Sequence, residues 1–500
     1  VLRLTGGGAM KRRAFVLGSL AAPLLASCAP AKPTLSDLKA GLKGELLLPD
    51  APAFDISRKL YHTRYDHIRP SAVARCQSAQ DVRACIDFAR RSGTPIHARS
   101  GGHSYAGWST GPGLVIDVGP MNAVSVDPGT HIATIGAGAK LIDVYAALAA
   151  AGRTLPGGSC PTVGIAGLTL GGGISMLGRA YGMTCDNLRQ LEIVTAAGDI
   201  LTCDAQNNSD LFWASRGGGG GNFGIATQFK FQTHPLKNIT TLLLEWDWQR
   251  ATKVIQTWQQ WAPVMPDPLW SYCRMASNRK GTAPQIFVLI VFIGNEAELM
   301  PLLPGLIDGV GAEPKRTLEH ADGLHTMLGL AGCQNKSVAQ CHVEMTSKEG
   351  TLGRGTYTAK SAFYDKPLGD DAIARFLAHL EKAQGAGLQG GVMFDGFGGA
   401  AGRPKPDETA FPHRGALFSA QFLTSWPQAT DEACNVAWIR DFHAAVRKDS
   451  SGGCYVNYID PDLKDWQRAY YGPNLERLLR IKKAYDPEGL FRFPQGLPVT

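Results

Sequence analysis

Several features that would place a chain quickly are missing from this one. It has no Cys-x-x-Cys pair and no His-Glu-x-x-His, so no zinc-site spacing is present. It has no Gly-Lys-Ser/Thr phosphate loop, and Gly136-Ala137-Gly138 lacks the third glycine of a dinucleotide-binding turn. No run of five or six basic residues occurs. A net charge of +7 spread over 500 residues is no footprint for nucleic acid, so none is expected as a partner. Charged residues are scarce at 19%, but a hydrophobic fraction of 44% excludes a disordered chain. Beyond the N-terminal leader, no apolar run is long enough to span a bilayer.

Glycine is the residue in excess, at 59 of 500, well above the roughly 7% of average proteins. Four clusters fall within one block: Ser100-Gly101-Gly102-His103-Ser104, Gly136-Ala137-Gly138, Gly171-Gly172-Gly173, and Gly217 through Gly221 with Asn222-Phe223-Gly224. Successive backbone N–H groups without side chains form concavities for anionic oxygens, and a pyrophosphate is the natural occupant. The block therefore reads as a cradle for a phosphate-bearing cofactor, built neither as a Rossmann turn nor as a P-loop. His103 and Cys160 each sit in such a turn. Taken alone, the first is more often a hydrogen-bonded turn residue and the second a small buried hydrophobe.

The N-terminus reads as an address. Met10-Lys11-Arg12-Arg13-Ala14-Phe15-Val16, then an apolar stretch from Leu17 to Leu25, resembles a twin-arginine signal, the route for cargo exported folded. Leu25-Ala26-Ser27-Cys28 resembles a bacterial lipoprotein box, with Cys28 lipidated; the alternative is cleavage after Ala31 and a soluble product. Residues 1–28 are thus expected to be a signal sequence that sends the protein to the periplasm or beyond. Residues 29–60 read as a Pro- and Lys-containing linker. Of eleven cysteines, Cys333 and Cys341, eight apart in a polar loop, make the best local case for a disulfide, with two free thiols as the alternative.

Apolar periodicity predicts helices over 81–91, 140–151, 252–261, 370–383 and 475–485. It predicts strands over 114–118, 132–135, 229–231, 242–248, 285–293 and 455–459, with a hairpin over 191–203. Strands and helices interspersed without regular alternation predict an α+β fold, and the length predicts two or three domains.

Certain blocks in order carry a resemblance. Arg99-Ser-Gly-Gly-His103-Ser104, Gly158-Ser-Cys160-Pro-Thr-Val163-Gly164, Gly167-Leu-Thr-Leu-Gly-Gly172-Gly173, Arg179 through Asn187, Arg216 through Gly224, Tyr455-Val-Asn457-Tyr458-Ile-Asp460 and Tyr485-Asp-Pro487 resemble the berberine bridge enzyme family. That family is a branch of the vanillyl-alcohol-oxidase-like flavoproteins. The resemblance spans about 61–500 and is weakest over 240–390. It implies two domains: a PCMH-type FAD-binding domain over 61–237, completed by a returning tail 451–500, and an antiparallel-sheet substrate domain over 238–450.

By this resemblance FAD would be bound bicovalently, through its 8α-methyl carbon to His103 and through C6 to Cys160. Arg99, Ser100, Gly101, Gly102, Ser104, Val163, Gly164, Gly167, Gly172, Gly173, Gly224 and Asn457 would line the cofactor. Valine at 163 is associated in the family with oxygen access, hence an oxidase. Tyr458 matches the usual general base, whose phenol must be brought down from about 10 to serve at neutral pH. Asp395 would be an active-site side chain of the substrate domain, or else a turn aspartate. Tyr455 is expected to pack, and His413 to face either substrate or solvent. Ile174 stands where many alcohol-oxidising relatives carry a second tyrosine. The implied reaction is oxidation of a sugar or other alcohol, with O₂ reduced to H₂O₂. Amine oxidation, oxidative ring closure, and an exported flavin-binding protein without catalysis are the alternatives.

Overall fold

The computed structural model describes residues 32–278 and 280–499. The expected leader, with Arg12, Arg13 and Cys28, lies outside the described residues. No described helix is long and apolar enough to cross a membrane.

The first domain holds two sheets. In one, Ala72–Arg75 and Ile96–Arg99 run parallel to Leu114–Asp117, and Glu45–Leu47 adds antiparallel at the edge. The helix Ala79–Ser92 crosses over from Ala72–Arg75 to Ile96–Arg99, which leaves room between them for Leu114–Asp117. Val82, Cys85, Ile86 and Ala89 of that helix are buried; Ser78 caps its start, and Gly93, at φ 77°, ends it. The other sheet is antiparallel, ordered Val124–Val126, Ile132–Gly136, Ile225–Gln232, Leu188–Val194, Ile200–Asp204. The last two strands are the expected hairpin.

Residues 29–60 are not a linker throughout. From Thr34 the chain forms the helix Leu35–Gly41, the edge strand Glu45–Leu47 and the short helix Phe54–Ser57. Leu38 and Leu46 are buried in the first core, and the Asp81 carboxylate accepts the N–H groups of Lys43 and Gly44 at 2.9 and 3.1 Å. Lysine and proline on either side of a three-residue strand concealed this, because so short an edge carries too little pattern.

The second domain is a seven-stranded antiparallel sheet. Its order is Lys315–Asp322, Asn238–Trp246, Gln285–Ile293, Leu269–Ser277, Gln389–Gly396, Phe418–Ser425, Tyr357–Tyr364. Side chains alternate between its faces. Cys273, Met275, Val392, Phe394, Phe418, Ala420 and Phe422 share a core with the helices Ala251–Trp261, Asp370–Ala386 and Glu432–Arg447. The intervening positions therefore take the other face: Tyr272 opposite Asp395, Asp395 opposite Ser419, and Gln421 opposite Ser361. Contacts from Tyr105 to Tyr357 and Gln421 show that this face meets the first domain.

The tail crosses back to the first domain. Lys482, buried in the helix Leu475–Tyr485, donates to the carbonyls of Asn222 and Phe491 at 2.8 and 2.7 Å and to Asp486 at 2.6 Å. The strand expected over 455–459 is instead a 3₁₀ turn, Val456–Tyr458. Its flanking N–H groups go elsewhere, Tyr455 to the Ser361 hydroxyl and Cys454 to the Ala469 carbonyl, so no ladder forms despite β-favouring aromatic residues. Cys333 and Cys341 are joined as a disulfide. Close by, His342 Nε2 lies 3.0 Å from an Asp143 carboxylate oxygen.

Candidate active site

Two turns of the first domain lie back to back. A Cβ on Gly101 would collide with the Gly164 backbone, and one on Gly164 with the Ser100 hydroxyl, which is why both positions are glycine. Ser100 donates to the Ala137 carbonyl at 2.6 Å, tying in the Gly136-Ala137-Gly138 cluster. The backbone N–H groups of Gly101, Gly102, His103 and Ser104 find no acceptor among the described residues.

His103 is held by two neighbours. Its Nε2 lies 2.9 Å from the Thr162 hydroxyl and its ring stacks on Tyr61 at 4.1 Å, while Nδ1 has no hydrogen-bond partner among the described residues. Burial, aided by the Lys140 charge, pulls the imidazole down to about 3, so it is neutral at physiological pH. Cys160 keeps an exposed face, yet the surrounding protein pushes its thiol up from its ordinary value. Tyr105 stacks on Tyr458 and meets Tyr357 edge-on, so the three rings form an aromatic wall, and the Cys160 charge acts on all three.

Tyr458 stacks on Tyr105 at 5.4 Å and meets Tyr455 edge-on at 4.9 Å. Its phenol is not lowered, as a base at neutral pH requires. Burial, and then the neighbouring Asp395 carboxylate, hold it well above the ordinary tyrosine value. Asp395 is no turn aspartate. It lies in the strand Gln389–Gly396, buried, with the Ser419 hydroxyl 3.4 Å away, and burial raises its carboxyl to about 7. Arg179 donates to the Phe397 carbonyl at 2.6 Å and so fixes the segment that follows. Gln421 donates to the Tyr105 hydroxyl at 2.8 Å.

Tyr455 does more than pack. Its phenolic oxygen accepts from the N–H groups of Gly173 and Ile174, at 2.8 and 3.1 Å, and from the Asn457 amide at 2.9 Å. Asn457 also donates to the Leu168 carbonyl, so it braces the glycine-rich turn from inside. Gly172 and Gly173 have φ of 119° and 83°, which L side chains rarely adopt.

Other expected residues serve the scaffold. Arg99 donates to the Ser57 and Arg58 carbonyls and pairs with Asp117 at 3.1 Å. Ser104 accepts the Trp108 N–H, Val163 accepts the Leu141 N–H, and Gly224 lets the chain pass close to Val194. A Cβ on Gly167 would meet nothing, so no close approach requires glycine there. His413 is tied into the scaffold: it stacks on Phe363 at 4.3 Å, with Nε2 3.2 Å from the Tyr470 carbonyl. Tyr61, Tyr105, Tyr357, Thr162 and Gln421 were missed from sequence. Tyr105 adjoins the Gly-Gly-His-Ser turn, and Gln421 is two residues from Ser419 on one sheet face, but only the assembled domains bring them together.

A glycine-turn cradle with unsatisfied N–H groups, facing a polar and aromatic sheet face across a domain seam, fits a flavin adenine dinucleotide: the turns suit its diphosphate and the aromatic wall its ring system. Family models agree, one for an FAD binding domain over residues 70–204 and one described as berberine and berberine like over 454–498. The chain belongs to the berberine bridge enzyme-like FAD-linked oxidoreductases, and it is an FAD-dependent enzyme with their two-domain fold. It is 35% identical over 465 residues to the FAD-linked oxidoreductase YgaK of Bacillus subtilis (strain 168), covering 92% of this chain and 98% of that one. Among solved structures, BBE-like 1 of Physcomitrella patens superposes with a TM-score of 0.85 at 29% identity, over 94% of this chain and 100% of that one. A chitooligosaccharide oxidase superposes with a TM-score of 0.84 at 26% identity, over 93% and 99%.

Proposed function

We propose that this enzyme is an oxidase of a hydroxyl-bearing substrate, a sugar or another alcohol, with Asp395 as the general base. The observation that carries the reading is a buried carboxyl, raised by burial to about 7, on the sheet face that carries Tyr272 and Ser419 and near Tyr458. FAD, when bound, supplies the hydride acceptor and passes the electrons to O₂, giving H₂O₂. Asp395 takes the hydroxyl proton; a base near 7 is well matched to that task, whereas a phenol pushed above 10 is not. Tyr458 keeps its proton and donates a hydrogen bond that orients the substrate oxygen, its ring held between Tyr105 and Tyr455. Gln421 fixes the Tyr105 hydroxyl. His103, neutral and with Nδ1 free, has the form needed to bond an electron-poor carbon, and Cys160 is the second attachment. The likeness to a chitooligosaccharide oxidase supports a carbohydrate.

One observation favours a second reading. Asp395 is the charged group felt at Tyr458, and a lone carboxylate also suits a cationic amine. Anaerobic reduction of the flavin by a panel of sugars, benzylic alcohols and cyclic amines tests both. Bleaching by sugars or alcohols is expected; bleaching by amines alone would move the assignment to amine oxidation.

A further inference from the structure

Between the strand Ile132–Gly136 and the helix Leu141–Ala150, one lysine occupies the junction of the two cofactor turns. Lys140 pairs through its backbone with Gly164, while the next residue, Leu141, donates to the Val163 carbonyl. Its side chain reaches the other turn, where Nζ donates to the Ser100 carbonyl at 3.2 Å. A single carbonyl is modest company for an ammonium withdrawn from water. The acids whose charge it feels are already engaged, Asp117 with Arg99 at 3.1 Å and Asp143 with His342 at 3.0 Å. Arg99 adds a second positive charge nearby, and burial pulls the Lys140 ammonium below its ordinary value. Just beyond Ser100 come the four N–H groups of residues 101–104 that have no acceptor among the described residues.

An ammonium with one carbonyl as its direct partner, and with its nearby carboxylates bonded to other groups, next to successive free N–H groups, is the electrostatic complement of a multiply charged anion. We infer that Lys140 is the counter-cation of the FAD diphosphate, locking the Ser100–Ser104 turn to the Gly164 turn through the phosphoryl oxygens. This rests on the assignment of FAD as the cofactor. It separates two jobs in the site: the aromatic wall handles the ring system, and Lys140 selects for the dinucleotide over the bare flavin.

The test uses full-length protein carrying His103→Ala and Cys160→Ala, so that flavin exchanges freely. FAD and riboflavin are titrated into this parent and into versions adding Lys140→Met or Lys140→Arg. Lys140→Met should weaken FAD about 10- to 100-fold, the range expected for one charge-assisted contact, and leave riboflavin within about twofold. Lys140→Arg, which keeps the charge, should recover most of the FAD affinity; Lys140→Gln replaces the Met variant if that does not fold. In FAD-loaded samples the ³¹P resonances of the diphosphate should move between parent and Met or Gln variant. Unchanged FAD affinity with unchanged ³¹P shifts would overturn the inference and leave the cofactor assignment standing. An equal loss for riboflavin would overturn it too, since Lys140 would then act on His103 or the turn alone. Failure of the Lys140-intact parent to bind FAD at all would strike the cofactor assignment itself.

Discussion

Asp395→Asn offers a test in which activity and stability should move in opposite directions. The carboxyl rises from 3.8 to about 7 because burial disfavours its charged form, with only the Ser419 hydroxyl to offset this. The folded state therefore holds the proton more tightly than the unfolded chain does. Stability from this group is fully present below pH 3.8 and is lost as pH rises through about 7. Three units at 1.36 kcal/mol each make the loss on the order of 4 kcal/mol, an upper figure. The amide has nothing to ionise. Denaturation curves should show the variant no more stable than wild type near pH 4 and more stable by a few kcal/mol at pH 8. The same change removes the proposed base, so anaerobic flavin reduction at pH 8 should slow by about 10²–10⁴. In the wild type that rate should climb with pH and level off above about 7. A rate still rising toward pH 10, or a variant as fast as wild type, would refute the assignment and return the role to Tyr458.

Four further outcomes are expected. Tyr458→Phe should cost the reductive step no more than about tenfold, the worth of one hydrogen bond; a loss of 10²–10⁴ would mean that Tyr458 is the base. Tyr455→Phe strips an acceptor from Gly173, Ile174 and Asn457 and should destabilise by about 2–3 kcal/mol in chemical denaturation; no change would show that water replaces it. Denatured wild-type protein should stay yellow, with flavin on peptides containing His103 and Cys160; either alanine variant should keep one bond, and the pair should let FAD be washed out. Arg12→Lys with Arg13→Lys should hold the protein in the cytoplasm, and Cys28→Ala should end membrane fractionation; a soluble product starting at Lys32 would contradict the lipid anchor.

Sequence periodicity located long elements best. The helices Ala79–Ser92, Ala251–Trp261 and Leu475–Tyr485 and the strand Gln285–Ile293 lie where it put them, because each shows one apolar face over several turns or alternations. It failed at 455–459, where aromatic residues favour a strand but their hydrogen bonds are drawn to Ser361 and to the glycine turn. It failed at 34–60, where a three-residue edge strand carries too little pattern. The motif turns revealed His103 and Cys160 because glycine at a close approach leaves a mark in the sequence. The proton chemistry left none. Whether Tyr458 or Asp395 can serve as base depends on burial and on each other's charge, and these exist only once the sheet face of the second domain closes over the first.

The returning tail has a consequence for synthesis. Tyr455, Asn457 and Lys482 lie within the last 50 residues, yet they brace glycine clusters made several hundred residues earlier. At translation rates of about 5–20 residues per second, these turns wait about 13–56 seconds for partners 260 and 282 residues further on. A nascent chain can thus form the helix Ala79–Ser92 and its sheet but not a braced pocket. Truncation before Cys454 would remove the acceptor of the Gly173 and Ile174 N–H groups and the Lys482 contact to Asn222, so these turns gain their braces only in the finished polypeptide.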